Sequence, residues 1–171
     1  PADVEALKAL SVGNITLGEK ITETTGKIGE KIDITALEVM EGEAVVPYIH
    51  SNGKLGVMVV LKNVNGAEVE EAGKDVAMQI AAMNPVAVDK DGVDPTVIEK
   101  EIEIGKEQAR QEGKPEQIIE KIAQGKLQKF FKENTLLSQS FVKDSSQSIQ
   151  QYLDGVSKGL TVTEFKRVAI G

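Results

Sequence analysis

The sequence predicts an α+β protein: an antiparallel three-stranded sheet with helices on one face, an inserted antiparallel helical hairpin, and a partial second subdomain at the N-terminus. Three observations carry that prediction. Residues 31–61 hold apolar segments of strand length, two of them separated by Asn52-Gly53, a dipeptide typical of tight β-hairpins. Residues 67–83 carry apolar side chains at three- and four-residue steps, the period of a helix lying on a core. Residues 95–112 and 115–133 repeat that period on either side of Gly113-Lys114-Pro115, which sets two helices to fold back on each other.

In chain order, Asp3 is placed to cap the segment from Val4 to Leu10. Thr16 and Glu19 form a capping box ahead of a second short helix over residues 15–25. Residues 31–40 alternate, with Ile32, Ile34 and Ala36 on one side and Leu37 and Val39 on the other, and are expected to form a first strand. Residues 43–50 form a second, on which Tyr48 and His50 share a face beside the turn. Leu55 to Leu61 returns as a third. Its run Val57-Met58-Val59-Val60-Leu61 is too apolar for a strand with one wet face and predicts cover on both.

The 67–83 helix presents Val69, Ala72, Gly73, Val76, Ala77 and Ile80 as a stripe of small groups suited to lying close on a sheet, and Asn84-Pro85 ends it. Pro95 opens the next helix, with Ile98, Ile102 and Ala109 along its seam. Pro115 opens its mate, which shows Ile118, Ile119, Ile122, Ala123, Leu127, Phe130 and Phe131. The first of the pair is rich in glutamate and the second in lysine, which favours antiparallel pairing. Residues 134–143 read as extended or irregular, Ser148 to Gly155 as a short helix and Leu160 to Ala169 as a closing strand. Residues 1–40 are therefore assigned to an N-terminal subdomain remnant, 41–94 with 134–171 to a C-terminal subdomain, and 95–133 to the hairpin insertion.

Composition narrows the function. Of the 171 residues 40% are apolar and 27% charged, ordinary for a globular protein, while aromatics are only 4% and tryptophan is absent. The core must therefore come from Val, Ile, Leu and Ala. A net charge of -7 argues against a nucleic-acid groove. The absence of cysteine excludes disulfides and thiolate chemistry. No apolar run approaches the roughly 20 residues of a membrane helix, so a cytoplasmic protein without membrane contact is expected. His50 is the single histidine, and the spacing of Ser, Asp and Glu supplies neither a triad nor a metal-ligand set around it. The five Gly-Lys pairs fall outside any phosphate-loop pattern. Asp89-Lys90-Asp91-Gly92-Val93-Asp94 lacks the ligand series of a calcium loop. The expectation is a non-enzymatic interaction protein with no metal and no cofactor. Tyr48 and His50, an aromatic and an imidazole at a rim, suit a partner interface.

Several segments resemble bacterial elongation factor Ts in that family's order. Lys27-Ile28-Gly29-Glu30-Lys31-Ile32 is similar to its Lys-Ile-Gly-Glu-Asn-Ile stretch. Tyr48-x-His50 followed by Gly56-Val57-Met58-Val59-Val60, then Ala77-Met78-Gln79-Ile80-Ala81-Ala82, then the hairpin block 113–130 and Gln139-Ser140-Phe141-Val142-Lys143-Asp144 complete the series, from about residue 26 onward.

The resemblance implies a core, or dimerisation, domain with a coiled-coil hairpin. Its partner would be the translation GTPase elongation factor Tu, whose GDP release it would promote from outside the nucleotide site without covalent catalysis. By positional match, Ile28 and Gly29 would meet the GTPase's nucleotide-binding domain, and His50, Phe141 and Val142 would lie in or near its contact surface, with Tyr48 beside them. The family's N-terminal helical domain, with its Thr-Asp-Phe-Val motif, and two strands of its N-terminal subdomain have no counterpart in the sequence. The chain opens at Pro1 without an initiator methionine, as expected of a trimmed fragment, so weak binding and poor exchange on its own are expected. A homodimer is compatible with this reading. The alternative is a self-association module with no GTPase partner.

Overall fold

The protein was analysed as a computed structural model that describes residues 1–170. It contains two compact units, Pro1–Val39 and Met40–Gly171.

In the first unit, α1 (Val4–Lys8) starts where Asp3 accepts a hydrogen bond from the Ala6 backbone, as the sequence predicts. A two-residue ladder pairs β1 (Ser11–Val12) with β2 (Ile15–Thr16) around Gly13. Thr16 then caps α2 (Leu17–Ile28): the Glu19 backbone donates to its hydroxyl at 3.2 Å and the Thr16 backbone donates to the Glu19 carboxylate at 2.7 Å. The Thr16 backbone N–H and hydroxyl, both donating to the carboxylate, hold the Glu19 carboxyl below its ordinary value. The helix runs three residues past its expected end and stops at Gly29. Lys8 clamps the unit from the other side with a 2.8 Å bond to Asp33. None of residues 1–39 is buried, in keeping with a segment too short to enclose a core.

Residues 31–40 form no strand. The three-stranded sheet is antiparallel, in the order β3 (Ala44–Ile49), β4 (Leu55–Lys62), β7 (Thr161–Ala169), so its third strand comes from the far end of the chain. The reason lies in β3. The His50 backbone donates to Leu55, which makes that pair a hydrogen-bonded one. By the antiparallel alternation, Pro47 then turns its donor-less nitrogen off the free edge, where a further strand cannot complete a ladder. The β3–β4 connection is the five residues His50 to Lys54, with Gly53 at φ +67°.

One sheet face is covered by α3 (Glu70–Met83). Val46, Val57, Val59, Leu61, Val76, Ala77 and Ile80 are buried there together with Leu136, Phe141, Ile149, Leu153 and Leu160. The small-residue stripe does what its composition suggests: a methyl group at Gly73 would stand 2.7 Å from Cβ of Val46. Val60, on the opposite face, is also buried, beneath Gly42. The double cover expected for β4 is therefore present at this residue.

The hairpin consists of α4 (Pro95–Gln111) and α5 (Glu116–Asn134). Asp94 caps α4 with Pro95 in its first turn. Pro115 stands just before α5, as its cap residue, and not inside its first turn. Gly113 turns the chain at φ +71°, and its N–H and that of Lys114 donate to the carbonyls of Arg110 and Ala109, a Schellman closure. Gly105 and Ala109 face Ile119, Ala123 and Leu127 across the seam, all five buried. Ion pairs flank it: Lys106–Glu120 at 3.1 Å, Arg110–Glu116 at 3.0 Å and Lys126–Glu112 at 3.4 Å. Two of these take their cation from the glutamate-rich helix, so local pairing outweighs the bulk charge of each helix.

Below the hairpin base, β5 (Ser140–Phe141) and β6 (Asp144–Ser148) reverse through Val142-Lys143. Then α6 (Ile149–Val156) begins with a capping box from Ser148 and Gln151.

Candidate partner interface

The expected site residues fall into three groups. Ile28 is the last residue of α2 and is 54% exposed. Gly29 caps the helix at φ +74°, its N–H donating to Thr25. That left-handed conformation is one that side-chain-bearing residues adopt only at a cost. Gly29 is thus the stop that leaves Ile28 at a helix end.

Tyr48 and His50 come together at the hairpin end of the sheet. The Tyr48 hydroxyl lies 3.0 Å from Nδ1 of His50, and their rings are tilted with centroids 6.1 Å apart. Tyr48 is half-buried against the core, so its hydroxyl end supports an imidazole that stays partly exposed. Arg167 pairs with Val57 on the same face, and its Nε is shielded from solvent without a hydrogen-bond partner.

The third group divides. Phe141 is 4% exposed and stacks on Tyr152 with centroids 4.4 Å apart, so it is a core anchor and offers no surface of its own. Val142, the next residue, is 48% exposed at the β5–β6 turn. The pair thus acts as a plug and a tip.

Sequence reasoning missed the residues that support this tip. Gln79, on α3, has no exposed surface, and its side-chain oxygen accepts the Val142 backbone N–H at 2.8 Å. Its amide nitrogen donates to the Ser140 carbonyl and to Oε1 of Gln139, both at 3.1 Å. One helical turn earlier, buried Asp75 accepts from Lys143 at 2.6 Å and from the Tyr152 hydroxyl at 2.9 Å. Burial and the Asp75 carboxylate push the Tyr152 hydroxyl far above its ordinary value. The available signal was two polar residues four apart in an otherwise small and apolar stripe.

Among the described residues no cluster of three or more His, Cys, Asp or Glu is arranged to hold a metal ion. Asp89 is occupied with its own turn, accepting from Asp91 and Gly92. No described helix is long and apolar enough to cross a membrane.

Residues 1–171 match the family described as elongation factor TS from end to end. The chain belongs to the elongation factor Ts family. It is similar to the elongation factor Ts of Cytophaga hutchinsonii, with 63% identity over 99% of this chain and 62% of that protein. The elongation factor Ts of Amoebophilus asiaticus is 55% identical over 100% and 62%, and that of Paracoccus denitrificans 38% over 99% and 58%. The chain spans about three fifths of the length of these relatives. The family match includes the first 25 residues, ahead of the segments that carry the resemblance.

Proposed function

We propose that this chain is the core portion of a translation elongation factor of the cytoplasm. It docks on the GTPase elongation factor Tu and promotes release of GDP by binding preference alone. The observation that carries this reading is the family match over every residue of the chain. The supporting geometry is an exposed Ile28 at a helix end, a partly exposed imidazole braced by Tyr48, and Val142 at a tied-down turn. None of these performs covalent chemistry. They suit a surface that recognises another protein.

The mechanism is thermodynamic linkage. If the chain binds nucleotide-free elongation factor Tu more tightly than the GDP-bound form by some factor, it must weaken GDP binding by that same factor. Ile28 and Gly29, and separately Tyr48, His50 and Val142 with Phe141 behind it, are the residues assigned to that contact.

Size exclusion with light scattering tests docking: a mixture with nucleotide-free elongation factor Tu should elute as one complex, and addition of GDP should dissociate it. Release of a fluorescent GDP should quicken with increasing chain. Separate elution together with an unchanged release rate refutes the proposal. A second reading, self-association through the part of the sheet face opposite α3 that lies beyond the cover over Val60, is favoured by the exposed Ile49 and Val168, which both pair with Gly56. It predicts a dimer of the chain alone in the same experiment.

A further inference from the structure

We propose that Gln79 and Asp75 are positioning residues that hold the Val142-Lys143 turn in the one conformation in which Val142 can meet elongation factor Tu. The inference rests on Val142 being a contact residue, as proposed above. A two-residue turn between strands of two and five residues has little ladder of its own, and here the register also shifts between Ser140 and Phe141. The turn is instead fixed from α3. Gln79 takes the Val142 N–H and gives to the Ser140 carbonyl, so one side chain bridges both arms of the reversal. Asp75, on the same helical face four residues earlier, takes the Lys143 ammonium.

Continuity of the network strengthens the case. Gln79 donates to Gln139, which is 2% exposed, and Gln139 donates to the carbonyl of Glu133 near the end of α5. Each oxygen and nitrogen of the two amides therefore has a partner. A buried polar chain of this kind is costly if any member is unpaired and rigid when all are satisfied. Apolar residues at 75 and 79 would pack α3 as well as its neighbours do, but they would leave the turn free to rearrange. Ordering it at the moment of binding would then weaken the complex.

The test is a double-mutant cycle on the full chain, with affinity for nucleotide-free elongation factor Tu measured by calorimetry and the melting temperature of each variant recorded alongside. Val142→Ala should weaken binding about tenfold by removing two methyl groups that the complex would bury. Gln79→Met keeps the volume and removes the hydrogen bonds, and should weaken binding about fivefold. In the Val142→Ala background it should change affinity by less than about twofold. If Gln79→Met lowers the melting temperature and leaves affinity intact, or if the two losses simply add, the positioning role is overturned and the contact role of Val142 stands. If Val142→Ala has no effect on affinity, the contact assignment fails and the positioning role falls with it. Should Gln79→Met not fold, Asp75→Asn carries the same test. It preserves an acceptor for Tyr152 while discharging the tie to Lys143, and should weaken binding about threefold.

Discussion

Gly73→Ala sets two effects of opposite sign against each other. In an exposed helix interior this change stabilises by about 1 kcal/mol, because alanine restricts the unfolded chain and glycine does not. Gly73, however, is buried on the α3 face that lies against β3. The added methyl would clash with Cγ2 of Val46 and stand 2.7 Å from its Cβ and 3.0 Å from its Cγ1. Rotating Val46 moves only the γ carbons, so the contact to Cβ survives every rotamer. Relief requires the helix to move off the sheet by about 0.8 Å, the shortfall from a comfortable carbon–carbon separation of about 3.5 Å. A gap of that size forfeits roughly a quarter to a half of the dispersion energy at neighbouring contacts, here those of Val76, Ala77 and Ile80. Overpacking of this kind costs about 1–3 kcal/mol and lies toward the upper end where backbone must move, so after the gain of about 1 kcal/mol in helix propensity the variant should be destabilised by about 1–2 kcal/mol net. Urea unfolding followed by far-ultraviolet circular dichroism reads this as a lower midpoint at unchanged slope. A variant as stable as the parent would show that α3 does not rest on β3 at this distance.

The remaining predictions concern other elements. Gly125, in α5, has open space where a Cβ would go, so Gly125→Ala should stabilise by about 0.5–1 kcal/mol and raise the melting temperature by about 2–4 °C per kcal/mol. The carboxyls of Glu19, Asp33, Asp94 and Asp144 are held below their ordinary values by bonds from Thr16, Lys8, Thr96 and Ser146 respectively. Their stabilisation is complete above the ordinary values of 4.5 for Glu and 3.8 for Asp and is lost as pH falls through the lower folded values, so an acid titration should show stability flat above that range and declining below it. His50→Ala should weaken binding to elongation factor Tu, and Tyr48→Phe should reproduce part of that loss, about two- to tenfold, by removing the hydroxyl that braces the ring. Calorimetric titration checks both, and a Tyr48→Phe variant of full affinity would separate the tyrosine from the site.

The parts of this fold that were legible in the sequence are those whose signals are local. The Thr16/Glu19 capping box, Pro95 at the start of α4 and the apolar stripe of α3 each specify structure within a few residues. Residues 31–40 misled because alternation alone does not say what a strand pairs with. The pairing was decided at a distance, by Pro47 closing one edge of the sheet and by Thr161–Ala169 arriving at the other. At the site, Tyr48 and His50 could be put on one face from spacing, because two residues apart on a strand means the same side. Phe141 and Val142 could not be sorted into plug and tip from sequence, since both are apolar and adjacent. Only the stacking on Tyr152 separates them. Asp75 and Gln79 were hidden for a related reason: a buried polar residue makes sense only when the atoms it satisfies, over sixty positions away in sequence, are in view.

Three of the proposed contact residues, Ile28, His50 and Val142, sit where the backbone leaves a regular element. Ile28 ends α2, His50 follows β3, and Val142 follows β5. Such positions combine exposure with a rigid root, because the helix or strand behind them is already ordered before any partner arrives. Each root is also fixed by a separate device: a left-handed glycine cap at Gly29, a hydroxyl–imidazole bond at Tyr48, and the amide clamp of Gln79. Under the proposed function, in which the chain acts only by preferring one state of its partner, this matters more than contact area. Coupling energy comes from the difference in binding between two partner states, and a compliant surface that adapts to both would erase that difference. Stiffening the contact residues at their roots therefore favours discrimination, and loosening a root should reduce the preference for the nucleotide-free state more than it reduces binding itself.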